Sequence, residues 1–222
     1  MGRGEQPAQQ SIRRLRIAGV LLLAVCVGGS FAAGDAVAKK KKKHKAAKVF
    51  TASASPNAAI PDRPATGQEI PVVSTITVGK KFKGRTVGDV NVTGIKTTGD
   101  SPNSASNLAM SLSAPNGKTV LLIATALGGQ SIGPLTLDDD TTTSICDDTT
   151  PSCSDPDATL IRPFAGTANL IGLFGGDTGP LSALNGSPMK GVWTFRAWDN
   201  NTGQTSVLNS WGLQITAEKP VT

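Results

Sequence analysis

The chain has 222 residues, enough for one domain with tails, and its 25 Gly, 14 Pro, three Trp, six Phe and no Tyr suit a turn-rich β protein better than a helical one. The formal charge of +6 misleads: residues 1–48 hold 11 of the 22 Lys and Arg but only two of the 16 acids, Glu5 and Asp35. The rest is net acidic, at 11 basic against 14 acidic residues, so the basic balance gives no ground for a nucleic-acid-binding fold.

At the N-terminus, Arg13, Arg14 and Arg16 precede the apolar stretch IAGVLLLAVCVGGSFAA (17–33) and the small-residue site Ala36-Val37-Ala38. This pattern predicts a secretory signal peptide over residues 1–38, with an uncleaved anchor as the alternative. The stretch is short for a spanning helix, and Gly28 and Gly29 weaken it further. The block KKKKKHKAAK (39–48) repels itself and reads as a solvated tail. Lys39–Lys48 would also suit an anionic cell surface, so the expected location is extracellular, with surface association through this block. Residues 51–71 are small, polar and proline-containing, and read as a linker or an extended edge segment. The expected organisation is signal peptide 1–38, basic tail and linker 39–71, and a domain over 72–218.

From Val72 short strands follow one another. In STITV (74–78) and VGDVNVTGI (87–95) apolar and polar residues alternate. In NLAMSLS (107–113), Leu108, Met110 and Leu112 share one face and Ala109, Ser111 and Ser113 the other, a strict period of two. Ala114-Pro115-Asn116-Gly117 then separates this run from KTVLLIAT. Asn-Gly between apolar runs, two residues that can both take positive φ, predicts that 107–113 and 118–125 pair as an antiparallel hairpin. Residues 128–160 are acidic and turn-rich and read as a long surface excursion. Cys146 and Cys153, the only cysteines beyond the signal peptide, read as a disulfide in an exported chain, worth about 2.5 kcal/mol on the chain-entropy argument. A zinc-thiolate pair would lack further ligands, because the one histidine is His44, in the lysine block.

Near the C-terminus, Trp193, Phe195 and Ala197 share one strand face, and Trp211, Leu213 and Ile215 share another. Trp193 and Trp211 are expected in the core, on the two strands of a closing hairpin. Trp198 has the opposite parity and is expected at an edge or exposed, with Asn200 and Asn201 beside it as a contact surface. No run of ten residues shows a helical period, so the expected fold is all-β, a jelly-roll β-sandwich of the galactose-binding-like kind.

These residues bound the chemistry. A serine or cysteine hydrolase needs a base beside its nucleophile, and residues 49–222 contain no histidine. No helix follows a glycine loop to cradle phosphate. Paired-carboxylate chemistry is not removed by counting, but the acidic 138–157 stretch lacks the aromatic subsites of a sugar cleft. The sequence is therefore read as non-enzymatic. Calcium is the one cofactor for which the oxygen ligands suit, with Asp138, Asp139, Asp140 and Asp199 as the candidate set and a solvated acidic loop as the alternative.

With these pieces in view, residues 70–217, two-thirds of the chain, resemble the P domain (P/Homo B domain) of kexin- and furin-like proprotein convertases and bacterial subtilisin-type serine proteases. IPVVSTITV, VGDVNVTGI, NLAMSLSAPNGKTVLL, PLSALNG, GVWTFRAWDNNTG and LNSWGLQI match its motifs in order. The most specific part is Gly191-x-Trp193 with Trp211-x-Leu213. Asn107 and Gln204 stand where members commonly carry Asp. The resemblance implies a jelly roll that stabilises a neighbouring protease, and it places the catalytic triad in that neighbour. It implies an accessory module docking on a subtilisin-like protease or another extracellular protein, linked to proteolysis by association only. A carbohydrate- or cell-surface-binding jelly roll using Trp198 is the second expectation.

Overall fold

The computed structural model describes residues 47–64, 70–124, 129–141, 160–161 and 180–218. The predicted signal peptide, lysines 39–45, Cys146 and Cys153 lie outside the described residues.

Among the described residues, ten strands form two sheets: β1 (Val49–Ala54), β2 (Ala58–Ile60), β3 (Val72–Val78), β4 (Val87–Gly99), β5 (Leu108–Ser113), β6 (Thr119–Ala124), β7 (Leu135–Leu137), β8 (Leu160–Ile161), β9 (Gly191–Asp199) and β10 (Ser206–Ala217). The larger sheet runs β1–β10–β4–β7–β8, with β2 also on β10; the smaller runs β3–β9–β5–β6. All these pairings are antiparallel except β7 with β8. The protein is thus an all-β sandwich, as the alternating sequence patterns require.

The core lies between the sheets. Ile76, Leu108, Met110, Leu112, Trp193 and Phe195 enter it from one side, and Val90, Val92, Trp211, Leu213 and Ile215 from the other. The rings of Phe195 and Trp211 stack across it, with centroids 5.0 Å apart and planes inclined by 20°. The indole N–H groups of Trp193 and Trp211 both have acceptors: Trp193 Nε1 donates to the Met189 carbonyl (3.0 Å) and Trp211 Nε1 to Ser74 Oγ (2.8 Å). The second bond ties the two sheets together, since Ser74 is on β3. Without such partners the two buried N–H groups would each cost about 1–3 kcal/mol.

Four expectations need correction. First, the domain does not begin at Val72. Six residues of β1 and three of β2 pair with β10, from Val49↔Thr216 to Ser206↔Ile60. Residues 49–60 are therefore an edge of the larger sheet, interrupted at Pro56-Asn57, where Asn57 takes φ +44. Their hydrophobic signal is weak because an edge strand buries one row only, here Phe50, Ala52 and Ala54.

Second, β9 and β10 do not form a hairpin. They belong to different sheets, β9 between β3 and β5, β10 between β1 and β4. The six residues 200–205 form an arch from one sheet to the other. Trp193 and Trp211 consequently enter the core from different sheets. Each of β9 and β10 is an inner strand of its own sheet, with a hydrogen-bonded neighbour on both edges.

Third, the β5–β6 hairpin is present, but its turn differs from the expected one. The loop is Pro115-Asn116-Gly117, closed by Ala114 N–H to the Lys118 carbonyl (2.8 Å) and Gly117 N–H to the Ala114 carbonyl (2.9 Å). Only Gly117 has positive φ (+85). Proline supplies the negative φ that opens such a three-residue turn.

Fourth, Trp198 is neither exposed nor marginal. It is 5% accessible, and its outer-face neighbours Ala109, Ser111 and Leu121 are buried with it. Parity placed Trp198 on the outer face correctly, but that face is shut off from solvent here.

Candidate functional site

The four predicted metal ligands do not come together. Asp138, Asp139 and Asp140 follow β7 beside Asp89, near the start of β4, whereas Asp199 lies at the end where β4 finishes. Eleven residues separate Asp89 from Asp100, roughly 35 Å of extended strand.

At the first end, Asp139 accepts two backbone N–H bonds, from Leu181 (2.9 Å) and Ser182 (2.6 Å), and so holds the start of the 3-10 turn Leu181–Leu184. Asp138 Oδ1 accepts the Asp140 N–H at 2.8 Å. Burial pushes the Asp89 carboxyl above the ordinary aspartate value, and the charges of Asp138, Asp140 and Asp139 push it further.

At the second end, three carboxylates converge on the arch 200–205. Asp62, just after β2, accepts the Gly203 N–H with both oxygens (3.1 and 2.9 Å). Asp100, just after β4, takes the Thr205 N–H (3.0 Å) and hydroxyl (2.7 Å) on Oδ2. Those bonds, the hydroxyl first, pull the Asp100 carboxyl below the ordinary value. Asp199 Oδ1 accepts the Asn201 N–H at 2.9 Å. Asn200 is held by its N–H on the Asn107 carbonyl (2.8 Å) and by Arg63 Nη1 on its own carbonyl (3.1 Å). Asn107 Nδ2 donates to Gln204 Oε1 at 2.6 Å. The two positions where the sequence departs from the resembled pattern thus hydrogen-bond to each other.

Gly99 makes the approach possible. A Cβ there would run into the Ser104 side chain and the Gln130 carbonyl. Ser104 Oγ in turn donates to Asp100 Oδ1 at 3.2 Å.

Asp199 is the unusual member. It continues the inward row Trp193, Phe195 and Ala197 on β9 and is 1% accessible. Its Oδ2 has no hydrogen-bond partner. Burial is the main reason its carboxyl titrates above the ordinary value; Asp62 and Asp100 add to the shift, and the Asn201 N–H opposes it. Ser206, which opens β10 from the facing sheet, is 2% accessible, and its Oγ is also without a partner.

Sequence reasoning placed Asn200 and Asn201 correctly in a loop but missed Asp62 and Asp100, its anchors. Both sit in proline-flanked turns, IPDRP and GDSPN, with no periodicity to mark them. Compared with known proteins, the chain matches no family model and no curated protein.

Proposed function

We propose that the chain is a secreted, non-catalytic binding module: a jelly roll of the P-domain, galactose-binding-like kind that docks on an extracellular protein. A subtilisin-like protease is the partner class that the resemblance implies. One contact supports this reading above others. Gly191 has φ +140, and a Cβ there would lie 2.6 Å from Pro115 Cβ. The Ser-x-Pro-x-Gly turn and the Gly-x-Trp strand, two separate pieces of the resemblance, therefore touch and constrain each other. Trp193, Trp211 and Leu213 beside them are fully buried core.

The binding reading also fits the absence of a base, since the only histidine is His44. A face for a protein partner exists on β3 and β9: Val73 (53% accessible) and Val192 (49%) flank Thr75, Thr77 and Thr194. The carbohydrate reading loses its aromatic platform with the burial of Trp198.

Pull-down from culture medium with the immobilised full chain tests this proposal. A subtilisin-like protease should be retained, and the Val73→Glu, Val192→Glu double variant should lose it without a change in melting temperature. A pull-down that recovers no protease contradicts the partner assignment. Peptide hydrolysis by the purified chain, abolished by one point substitution, contradicts the non-catalytic reading.

A further inference from the structure

We propose that the basic end of the sandwich, where the β3–β4 connection meets the start of β1, binds a linear anionic polysaccharide. That connection reads GKKFKGR (79–85). Its one apolar side chain, Phe82, is 1% accessible and packs edge-on to Phe50 of β1, with ring centroids 5.7 Å apart. Around it the Lys83 N–H bonds to the Lys80 carbonyl (3.0 Å) and the Arg85 N–H to the Phe82 carbonyl (3.1 Å). With Phe82 turned in, Lys80, Lys81 and Lys83 are exposed and Arg85 is half-buried. Three further exposed cations adjoin this turn. The Lys48 carbonyl accepts the Ala217 N–H (2.8 Å), and the next N–H, of Glu218, reaches the Thr86 carbonyl beside Arg85 (2.9 Å). The Arg85 carbonyl accepts the Met189 N–H (3.0 Å), next to Lys190. Gly191 lies against Pro115, in the turn that closes at Lys118. The cations therefore follow one another across this end, from Lys48 through residues 80–85 and Lys190 to Lys118.

Seven of the ten described lysines and arginines gather here, and among the described residues none of them forms an ion pair. Their positive potential is left for a partner. Glu218 is the one carboxylate within the row, and its Oε2 accepts the Thr86 hydroxyl at 2.6 Å. Asp89, Asp138, Asp139 and Asp140 share this end of the larger sheet but stand beyond the row, on β4 and after β7. A flat anionic bilayer would meet those acids together with the lysines, whereas a chain-like polyanion can follow the lysines alone. Single-stranded nucleic acid, another chain-like polyanion, stacks its bases on aromatic side chains. No described aromatic side chain is exposed. Six of the seven cations are lysines, point charges that meet sulfate or carboxylate groups without the planar bidentate geometry of arginine. Such a site reads charge and does not need the aromatic platform that Trp198 fails to supply. It is also independent of the protein partner proposed for β3 and β9.

Binding of the full chain to immobilised heparin, a sulfated polysaccharide, tests the site. The lysine block precedes Lys48 in the sequence, so the test uses a background in which the six lysines of residues 39–45 are replaced by serine. This background should still bind at low salt and be released as salt screens the charges. Lys80→Ser, Lys81→Ser and Lys83→Ser together should weaken binding about tenfold or more, with the melting temperature unchanged, because three exposed ion pairs are lost. Lys118→Ser with Lys190→Ser should weaken it by a smaller factor, and Lys96→Ser, further along β4, should leave it unaltered. No binding in the serine background overturns the proposal, because the tail alone then accounts for any affinity. Affinity unaltered by the triple substitution overturns it as well, and so does tighter binding to phosphatidylglycerol vesicles or to single-stranded DNA than to heparin. If the triple variant does not fold, unaltered affinity in the Lys118→Ser, Lys190→Ser variant does the same.

Discussion

The two acidic ends of β4 use the same side chain for different ends. Near Asp100 and Asp62 the carboxylates grip backbone N–H groups of one arch, so their charges are spent on holding a connection between the sheets. Near Asp89, Asp138 and Asp139 hold backbone N–H groups of the 138–140 turn and the Leu181–Leu184 turn, while Asp89 itself, bonded locally to Val90, sits part-buried among like charges. A count of aspartates sees two equivalent clusters. Hydrogen bonding separates an anchored arch from a carboxyl crowded by like charges.

Substitutions at the two ends should separate them further. The largest effect is expected at Gly99→Ala, where the new methyl must displace Ser104 and the Gln130 backbone: a loss of about 3 kcal/mol, read from urea unfolding. At the other end Asp139→Ala removes two charged hydrogen bonds from the Leu181–Leu184 turn and should cost about 2 kcal/mol by the same measurement.

The pH dependences should have opposite signs. The folded state binds the Asp89 proton more tightly than the unfolded chain, whose value is near 3.8. Stability attributable to Asp89 is therefore greatest in acid and falls as pH rises through its raised folded value. Asp89→Asn should stabilise the protein at neutral pH, and the gain should vanish in acid. Asp100 behaves inversely: its contribution is present above 3.8 and is lost as pH falls through its lowered folded value. Asp100→Asn should thus destabilise at neutral pH and become silent in acid, a smaller effect because the group is exposed. Equal signs in the two melting-temperature profiles would remove the distinction between the ends.

Much of the sandwich was legible because its inner strands obey a period of two: Leu108, Met110 and Leu112, then Trp193, Phe195 and Ala197, all face the core as the alternation requires. What the alternation could not tell is which strands pair. A six-residue connection fits a hairpin and an arch equally well, so the separation of β9 from β10 is a tertiary fact. β1 was hidden for another reason, because VFTASA offers one large apolar side chain directed inward and otherwise small residues. Trp198 shows a third limit. Parity predicts its face, but accessibility depends on what lies over that face. At the candidate site, Asp199 was visible only as a carboxylate beside a polar loop, whereas its burial and the roles of Asp62 and Asp100 arise only when three distant segments meet.

Hydrogen exchange of the Gly203 and Thr205 amides tests the contrast between the ends most directly, since Asp62 and Asp100 hold those N–H groups. The account expects Asp62→Asn and Asp100→Asn to speed exchange of these amides, and Asp89→Asn to leave it unchanged. Exchange unaltered by both arch substitutions, or speeded by Asp89→Asn alone, would contradict it.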